Sequence, residues 1–355
     1  MKYKILFYFF LPILFFSCNN NLEIKSPNVI IVITDDQGYG DIGYNGNPHL
    51  ITPNLDKFAG ESIRFNNFNV SPVCAPTRSS LLTGRYSLRT GVTDTYNGGA
   101  IMSSNEITLA EILNDNNYKT GIFGKWHLGD NYPSRPSDQG FQESLIHLSG
   151  GIGQVGDFTN YYKGSTSYYD PILWLNNKQE KYNGYCSDIF TDEAIKFIED
   201  NKDNQFFCYL SFNAPHTPLQ VPDKYYQMYK DIDPTNINGE SLEMTEKNIL
   251  DAKKIYGMVT NIDENFGKLI NKLDELNLKE NTIVIFMTDN GPQQPRYVSN
   301  LKGLKSQVYN GGIKVPFYFN FPKIHNEGID LDFFSAHIDV LPTIAKLCDL
   351  PIPDD

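Results

Sequence analysis

Residues 28–38 read NVIIVITDDQG, a short run of mostly β-branched apolar residues that ends in two adjacent carboxylates. The apolar part, residues 28–33, predicts a buried strand, because strands covered on both faces are continuously apolar. Three later runs of the same kind predict strands at residues 119–123, 206–212 and 282–288. Apolar residues at helical spacing lie between these runs, at residues 107–114, at residues 189–198 and in a stripe of Ile255, Val259, Ile262, Phe266, Leu269, Leu273 and Leu276. Alternating strands and helices predict an α/β fold, a three-layer α/β/α sandwich with a largely parallel central sheet.

Reactive side chains follow each predicted strand directly. The first strand is followed by Asp35 and Asp36, the second by Lys125 and His127, the third by Asn213 and His216, and the fourth by Asp289 and Asn290. Open α/β sheets bind ligands outside the carboxyl ends of their strands. We therefore expect these four clusters to line one crevice.

The composition is that of an ordinary globular protein with an acidic balance. The 355 residues are 40% hydrophobic and 20% charged, with a formal net charge of -12. Nucleic-acid binding needs a basic face, so this charge argues against a nucleic-acid partner. Any anionic substrate would need a local cluster of basic side chains and metal to offset the overall field.

The N-terminus has the layout of a secretory signal. Two lysines precede an apolar run at residues 5–16, which is too short to span a bilayer, where roughly 20 apolar residues are needed. The residues up to Cys18 resemble a bacterial lipoprotein cleavage box in which Cys18 is acylated, and plain cleavage is the alternative. We expect residues 1–18 to be the signal and 19–27 a linker. The protein is then exported, to the periplasm, the outer membrane or the cell surface.

One of the five cysteines stands apart from the others. Cys18, Cys74, Cys186, Cys208 and Cys348 show no spacing typical of a disulfide framework or a CxxC metal site. Cys208 and Cys348 lie in apolar segments, where a cysteine usually acts as a small buried hydrophobe. Cys74 alone has a polar, loop-like setting.

Residues 74–85 read CAPTRSSLLTGR, which predicts the start of a helix that ends at Gly84. Pro76 suits the first helical turn, where its missing N–H costs nothing. Cys74 would lie at or just before the helix N-terminus, where free N–H groups and the positive end of the dipole favour an anion. That place suits an activated nucleophile or a bound oxyanion, and it also suits a buried cysteine beside a helix cap.

The same segment resembles the signature of the type I sulfatases, CxPxR followed by TGR. In that family a maturation enzyme oxidises the cysteine to formylglycine. Five further motifs of the family occur in family order, at residues 35–38 (DDQG), 124–127 (GKWH), 214–216 (APH), 288–291 (TDNG) and 311–316 (GGIKVP). Together the motifs extend from Asn28 to about Pro353.

The resemblance implies the alkaline phosphatase superfold and an arylsulfatase-like sulfuric ester hydrolase. Its substrates would be sulfate monoesters of glycans or small aryl compounds. The nucleophile would be the hydrated aldehyde formed from Cys74, made by a formylglycine-generating maturation enzyme as partner. The oxygens of two acidic clusters favour calcium or magnesium over zinc, and the family favours one calcium ion. Its ligands would be Asp35, Asp36, Cys74, Asp289 and Asn290.

The remaining roles also come from the resemblance. Arg78, four residues after Cys74 on the same predicted helix face, would hold the diol and its surroundings. Asp289 would act as base. The other expected catalytic residues are Lys125 toward the sulfate, His127 toward the diol, His216 as proton donor to the leaving oxygen and Lys305 on the sulfate, with Lys302 as a neighbouring alternative to Lys305.

Two substitutions and the C-terminus depart from the family pattern. Asn310 replaces the usual acidic residue before the Gly-Gly turn and Lys314 the usual arginine after it, both outside the expected site. The family normally carries a C-terminal antiparallel subdomain, so we expect residues 28–355 to be a catalytic domain truncated at its C-terminus. Residues 150–169, rich in Gly, Tyr and Ser, are expected either to form a rim loop that stacks on sugars or to be a structural loop.

Two other function classes fit part of the pattern. A phosphatase, phosphodiesterase or phosphonate hydrolase of the same superfold would commonly use Thr or Ser and two transition metals. Ligands for only one metal are visible here, and a cysteine occupies the nucleophile position. The other alternative is an exported glycan-binding lipoprotein without catalysis, against which the intact Cys74, Arg78 and acidic clusters argue.

Overall fold

A computed structural model of the chain describes residues 26–161, 167–237 and 240–352. The expected signal, Cys18 and most of the linker lie outside the described residues. The strands are β1 Asn28–Thr34, β2 Ile63–Phe65, β3 Phe68–Asn69, β4 Lys119–Lys125, β5 Glu143–His147, β6 Ile172–Leu175, β7 Lys178–Lys181, β8 Phe206–Ser211, β9 Asn236–Ile237, β10 Glu240–Ser241, β11 Thr282–Thr288, β12 Phe317–Asn320, β13 Ile329–Leu331 and β14 Ser335–Ala336. The α-helices are α1 Pro53–Gly60, α2 Cys74–Thr83, α3 Leu109–Asp115, α4 Cys186–Asp200, α5 Asp223–Tyr229, α6 Glu246–Glu275, α7 Asn310–Ile313 and α8 Val340–Leu347.

Ten strands form one sheet in the order β13-β2-β12-β11-β1-β8-β4-β5-β6-β7. The five central strands, β11-β1-β8-β4-β5, are parallel to one another. Antiparallel strands join this parallel block on both sides, β12 beside β11 and β6 beside β5. The largely parallel sheet that the sequence predicts is therefore confirmed. The strands β11, β1, β8 and β4 are adjacent and parallel, so their carboxyl ends lie next to one another.

Alternate residues of β1 enter two different cores. Val29, Ile31 and Ile33 pack into one hydrophobic cluster, and Ile30 and Val32 pack into the other. Since successive side chains of a strand point to opposite faces, both faces of the sheet are covered. Helices α2, α3 and α8 contribute to the first cluster and α1, α4 and α6 to the second. This arrangement confirms the predicted three-layer α/β/α sandwich.

Several observed element boundaries differ from the predicted ones by a few residues, and two of these differences have a clear physical cause. Helix α3 begins at Leu109 rather than at Ile107, because Thr108 caps it. The Thr108 hydroxyl accepts a hydrogen bond from the Glu111 N–H at 3.1 Å, and the Glu111 carboxylate accepts one from the Thr108 N–H at 2.8 Å. Strand β4 runs on to Lys125, which pairs with His147. Lys125 is therefore the last residue of its strand, not a residue that follows it.

The apolar stripe of the longest helix is structural, as predicted. Ile255, Val259, Ile262, Phe266, Leu269 and Leu273 are all fully buried in α6. Leu276, the last residue of the predicted stripe, follows the end of the helix and is partly buried. Among the helices that the structure describes, none combines the length and apolar character needed to cross a bilayer.

Candidate functional site

The predicted reactive residues meet at the carboxyl ends of β1, β4, β8 and β11. A cavity of about 810 Å³ opens there and is lined by Cys74, His127, His216 and Lys305. The carboxylates from β1 and β11 lie beneath it, with Asp35, Asp36 and Asp289 all buried. The structure thus joins the four strand ends and the start of α2 into one site, as the sequence predicts.

Cys74 is the first residue of α2 and is only 2% exposed. Its Sγ atom lies 3.5 Å from Nδ1 of His127. Burial raises the pKa of the Cys74 thiol, although the charges of Lys125 and Lys305 oppose the rise. The setting is polar, as predicted, because the carboxylates of Asp35 and Asp289 lie beside Cys74, but Cys74 is the first residue of a helix and does not lie in a loop. An unmodified thiol at this position is a poor nucleophile, since the thiolate is the reactive form.

Asp289 and Arg78 form the innermost ion pair of the site. The guanidinium donates from Nε and Nη2 to Oδ2 of Asp289 at 3.0 and 2.8 Å. Its Nη1 donates to the hydroxyl of Ser211 at 2.5 Å and to the carbonyl of Lys125 at 3.3 Å. Burial and then the neighbouring Asp35 raise the pKa of Asp289 to about 6, while Arg78 opposes the rise.

The carboxylates at the end of β1 pair with the two lysines predicted for the site. Lys125 donates to Oδ2 of Asp35 at 2.5 Å, and Lys305 donates to Oδ1 of Asp36 at the same distance. The Asn290 amide also donates to Oδ1 of Asp36, at 2.8 Å. Burial alone would raise the pKa of Asp36, but the charges of Lys305 and His216 lower it well below its usual value.

Three oxygens of this cluster are buried and have no hydrogen-bond partner. They are Oδ1 of Asp35, Oδ2 of Asp36 and Oδ1 of Asn290. Ligand atoms of Asp35, Cys74 and Asp289 lie within 4.8 Å of one another, as do those of Asp35, Asp36 and His216. Buried polar atoms without partners are costly, so their concentration here fits a cation bound through oxygen. Of the predicted ligands, Asp35, Cys74 and Asp289 have a spacing that fits one ion, whereas Asp36 forms its group with Asp35 and His216.

Each histidine of the site has one nitrogen fixed by a backbone carbonyl. Nε2 of His127 lies 2.8 Å from the Thr95 carbonyl, and Nδ1 of His216 lies 2.8 Å from the Thr217 carbonyl. A carbonyl oxygen only accepts, so these nitrogens carry hydrogen. Burial lowers the pKa of both rings, to about 4 for His216, where Asp36 opposes the effect. His127 then directs Nδ1 toward Cys74, and His216 directs Nε2 toward Asp36 at 3.6 Å.

Of Lys305 and its alternative Lys302, only Lys305 lines the cavity. The ammonium of Lys302 instead lies 4.2 Å from the ring centroid of Tyr309. Lys314, one of the two departures from the family pattern, places its ammonium 4.8 Å from the ring centroid of Tyr39. Lys302, Lys314 and Asn310 are not among the residues that line the cavity.

The sequence analysis did not predict Arg296, which binds the backbone of the proposed metal ligand Asp36. Arg296 is buried and donates to both carboxylate oxygens of Asp41. It also donates from Nη2 to the backbone carbonyl of Asp36 at 2.7 Å, and Asp36 has a left-handed φ of 62°. Arg296 lies in a loop without hydrophobic periodicity. The one sequence signal that could have indicated it is a single arginine shortly after the TDNG motif at residues 288–291.

Three segments line the rim of the cavity, residues 95–101, 129–131 and 149–161, and the sequence predicts only the last of them. Residues 149–161 supply Ser149, Gly150, Gln154, Val155, Gly156 and Tyr161, so the first part of the predicted loop at 150–169 does line the cavity. Residues 162–166 of that loop lie outside the described residues. The segments at residues 95–101 and 129–131 were not predicted, although Tyr96 is 64% exposed.

Comparison with known proteins agrees with the site. The model of the Sulfatase family matches residues 27–350. The chain is 30% identical to an ulvan-active sulfatase from Formosa agariphila, over 94% of this chain and 63% of that protein. It is also 30% identical to human arylsulfatase A, over 93% of this chain and 66% of that protein. The chain thus spans slightly less than two thirds of the length of these two relatives.

Among solved structures, that of Ps i-CgsB in complex with k-i-k-neocarrahexaose is similar at a TM-score of 0.81 and 32% identity. The match covers 93% of this chain and 73% of that one. The family match extends over nearly all of the described sheet and includes the cysteine, the acidic clusters and the basic side chains of the site. The chain belongs to the sulfatase family of sulfuric ester hydrolases.

Proposed function

We propose that this protein hydrolyses sulfate monoesters with a formylglycine derived from Cys74 and one bound calcium ion. The observation that carries the proposal is the meeting of Cys74, at a helix start, with three unpartnered buried oxygens from two strand ends. A cysteine alone would fit a structural role, and an acidic cluster alone would fit a turn. The cysteine and the acidic cluster lie together with the basic side chains of Arg78, Lys125 and Lys305, and this combination supports sulfate chemistry.

Charge balance explains why the site would need a cation. Three carboxylates, those of Asp35, Asp36 and Asp289, lie against three basic side chains, those of Arg78, Lys125 and Lys305. These formal charges cancel, so the protein alone offers little attraction for an anionic ester. A divalent cation held by the free oxygens would make the site positive and would polarise both the attacking hydroxyl and the sulfate oxygens.

The protein's own side chains would position the reacting groups. Arg78 would keep Asp289 ionised and oriented, which leaves Oδ1 of Asp289 toward the metal site and residue 74. His127 would accept a hydrogen bond from the hydrated aldehyde at Nδ1, because its Nε2 hydrogen is held by Thr95. Lys125 and Lys305 would bind the sulfate oxygens as point charges.

The reaction would follow from having two hydroxyls on residue 74. One hydroxyl would give its proton to Asp289 and attack sulfur as the S–O bond to the alcohol breaks. The alcohol oxygen would take the Nε2 proton from the imidazolium form of His216, which the charge of Asp36 favours. The second hydroxyl would then give its proton to Nδ1 of His127, and the C–O bond to the sulfate group would break as the aldehyde re-forms and sulfate departs. No second attack at sulfur is needed, which is the advantage of a diol over a serine or thiol.

We propose sulfated glycans as the substrate class. The cavity has room for a sugar, and exposed aromatic side chains such as Tyr96 could stack on it. The names of the ulvan-active sulfatase and of the neocarrahexaose complex support glycan substrates for close members of the family. Export as a lipoprotein through residues 1–18, and maturation by a partner enzyme, complete the proposal.

The proposal is tested by assaying purified protein that was made together with a formylglycine-generating enzyme. Aryl sulfates, sulfated oligosaccharides and the matching aryl phosphates would be compared, with Cys74→Ala as the inactive reference. We expect release of sulfate and far slower release of phosphate. Faster turnover of the phosphates, or equal turnover by Cys74→Ala, would rule the proposal out.

A further inference from the structure

The orientation of His216 depends on a side chain from the cavity rim. The Thr217 carbonyl that accepts from His216 Nδ1 also accepts a hydrogen bond from Nε2 of Gln154 at 3.1 Å. The same Gln154 amide donates to the Thr217 hydroxyl at 2.8 Å. Gln154 therefore fixes the peptide on which the imidazole of His216 rests.

The backbone of the same rim loop lies against both imidazole rings. A Cβ atom at Gly150 would come within 2.5 Å of Nε2 of His127, and one at Gly151 within 3.0 Å of Cε1 of His216. The absence of a side chain at these two positions is what allows the approach. The turn formed by Gly150 and Gly151 is thus packed against the two histidines that face the cavity.

The loop also faces the space that a leaving group would occupy. Gln154 and Val155 line the cavity together with His216, and Val155 is 77% exposed. Resting on the proposed function, we infer that Gln154 is a positioning residue that holds His216 in the orientation needed to protonate the leaving oxygen. The S–O bond breaks with its electron pair on oxygen, and that oxygen takes the Nε2 proton from the imidazolium form of His216, whose Nε2 lies beside the Asp36 carboxylate. His216 keeps its Nδ1 hydrogen on the Thr217 carbonyl throughout.

A leaving-group series distinguishes positioning from general support of the fold. Protonation matters most when the departing oxygen is basic, so the test uses aryl sulfates of similar shape whose phenols differ in acidity. In Gln154→Met, kcat should fall about 10-fold or more for the most basic phenol and less than about 2-fold for the most acidic one. His216→Ala should give the same steepened dependence, and the double variant should lose no more than His216→Ala alone.

Two further variants keep the test decisive. Thr217→Val removes the hydroxyl acceptor of Gln154 and should steepen the dependence in the same direction, even if Gln154→Met folds poorly. Gln227→Leu alters an exposed glutamine on α5 that donates to Asp223, and should match the parent across the series. If kcat fell by the same factor for all phenols in Gln154→Met and Thr217→Val, the positioning role of Gln154 would be overturned and the proposed function would stand. Absence of sulfate release by the parent would overturn the proposed function as well.

Discussion

Two nitrogens of Arg78 donate to the same oxygen of Asp289, at 3.0 and 2.8 Å, and both side chains are fully buried. The arrangement uses Oδ2 for the ion pair. The other oxygen, Oδ1, accepts only a long bond of 3.3 Å from the Asp36 N–H among the contacts described. One carboxylate can thus anchor the start of α2 to β11 and still present an oxygen to a cation.

Replacing Arg78 by methionine should destabilise the fold strongly. The change leaves the Asp289 carboxylate buried without its partner, and breaking a buried ion pair in this way costs about 3–5 kcal/mol. The free energy of unfolding in urea measures the loss. Arg89→Met is the matched control, because Arg89 is exposed, and it should change stability by less than about 0.5 kcal/mol. Equal effects of the two substitutions would contradict the anchoring role.

The two helix-start cysteines provide a test of the nucleophile. Cys74 and Cys186 are both buried first residues of helices, α2 and α4. Cys74→Ala should abolish sulfate release, while Cys186→Ala should keep it, because Cys186 does not line the cavity. Circular dichroism should show both variants folded. If Cys74→Ala retained full activity, residue 74 would not be the nucleophile.

Calcium should stabilise the protein through the unpartnered oxygens. A ligand present at about 100 times its dissociation constant adds about 2.7 kcal/mol to the free energy of unfolding. We expect calcium to raise Tm in the parent and a chelator to reverse the rise and stop turnover. Asn290→Ala should lose most of the shift, since it removes one free oxygen. Asn105→Ala, at an exposed loop position, should keep it. An unchanged shift in Asn290→Ala would exclude Asn290 as a ligand.

Acid should destabilise the fold through a histidine outside the site. Burial lowers the pKa of His337 to about 4, where its ring lies between the Asn69 carbonyl and the Ser71 hydroxyl. The unfolded chain takes up a proton near pH 6.5, so this contribution is complete above that pH and is lost as the pH falls toward 4. The loss amounts to about 3 kcal/mol.

His337→Gln should therefore flatten the fall in unfolding free energy between pH 7 and pH 4 relative to the parent. The control is Gln227→Leu, at an exposed position without a titrating side chain, which should keep the slope of the parent. A parent-like slope in His337→Gln would mean that His337 is accessible to protons in the folded state.

Much of the fold and site could be predicted because their signals are local. Residues 28–33 are apolar enough to be a buried strand, and the acidic pair that follows must then lie at a strand end. The role of Arg296 could not be predicted in this way, because its contact with the Asp36 carbonyl joins residues far apart in the chain. The sequence left the burial of Cys74 as one of two alternatives, because the neighbour that packs against it, His127, is far away in the chain.

Contacts between side chains and pairings between strands also could not be predicted from the sequence. The choice of Lys305 over Lys302 became clear only when Tyr309 was found under the Lys302 ammonium. The extension of β4 to Lys125 depends on its pairing with β5. The strand passes through Gly124, which has a φ of 119°. Because glycine is depleted in strands, a propensity pattern ends this strand before Gly124.

The mass of the tryptic peptide at residues 65–78, taken from active protein made with a maturation enzyme, tests the central claim most directly. The account predicts that residue 74 carries an aldehyde in place of its thiol, in a fraction that rises in proportion to sulfate release across preparations. An intact Cys74 thiol in protein that hydrolyses sulfate esters at full rate would contradict it.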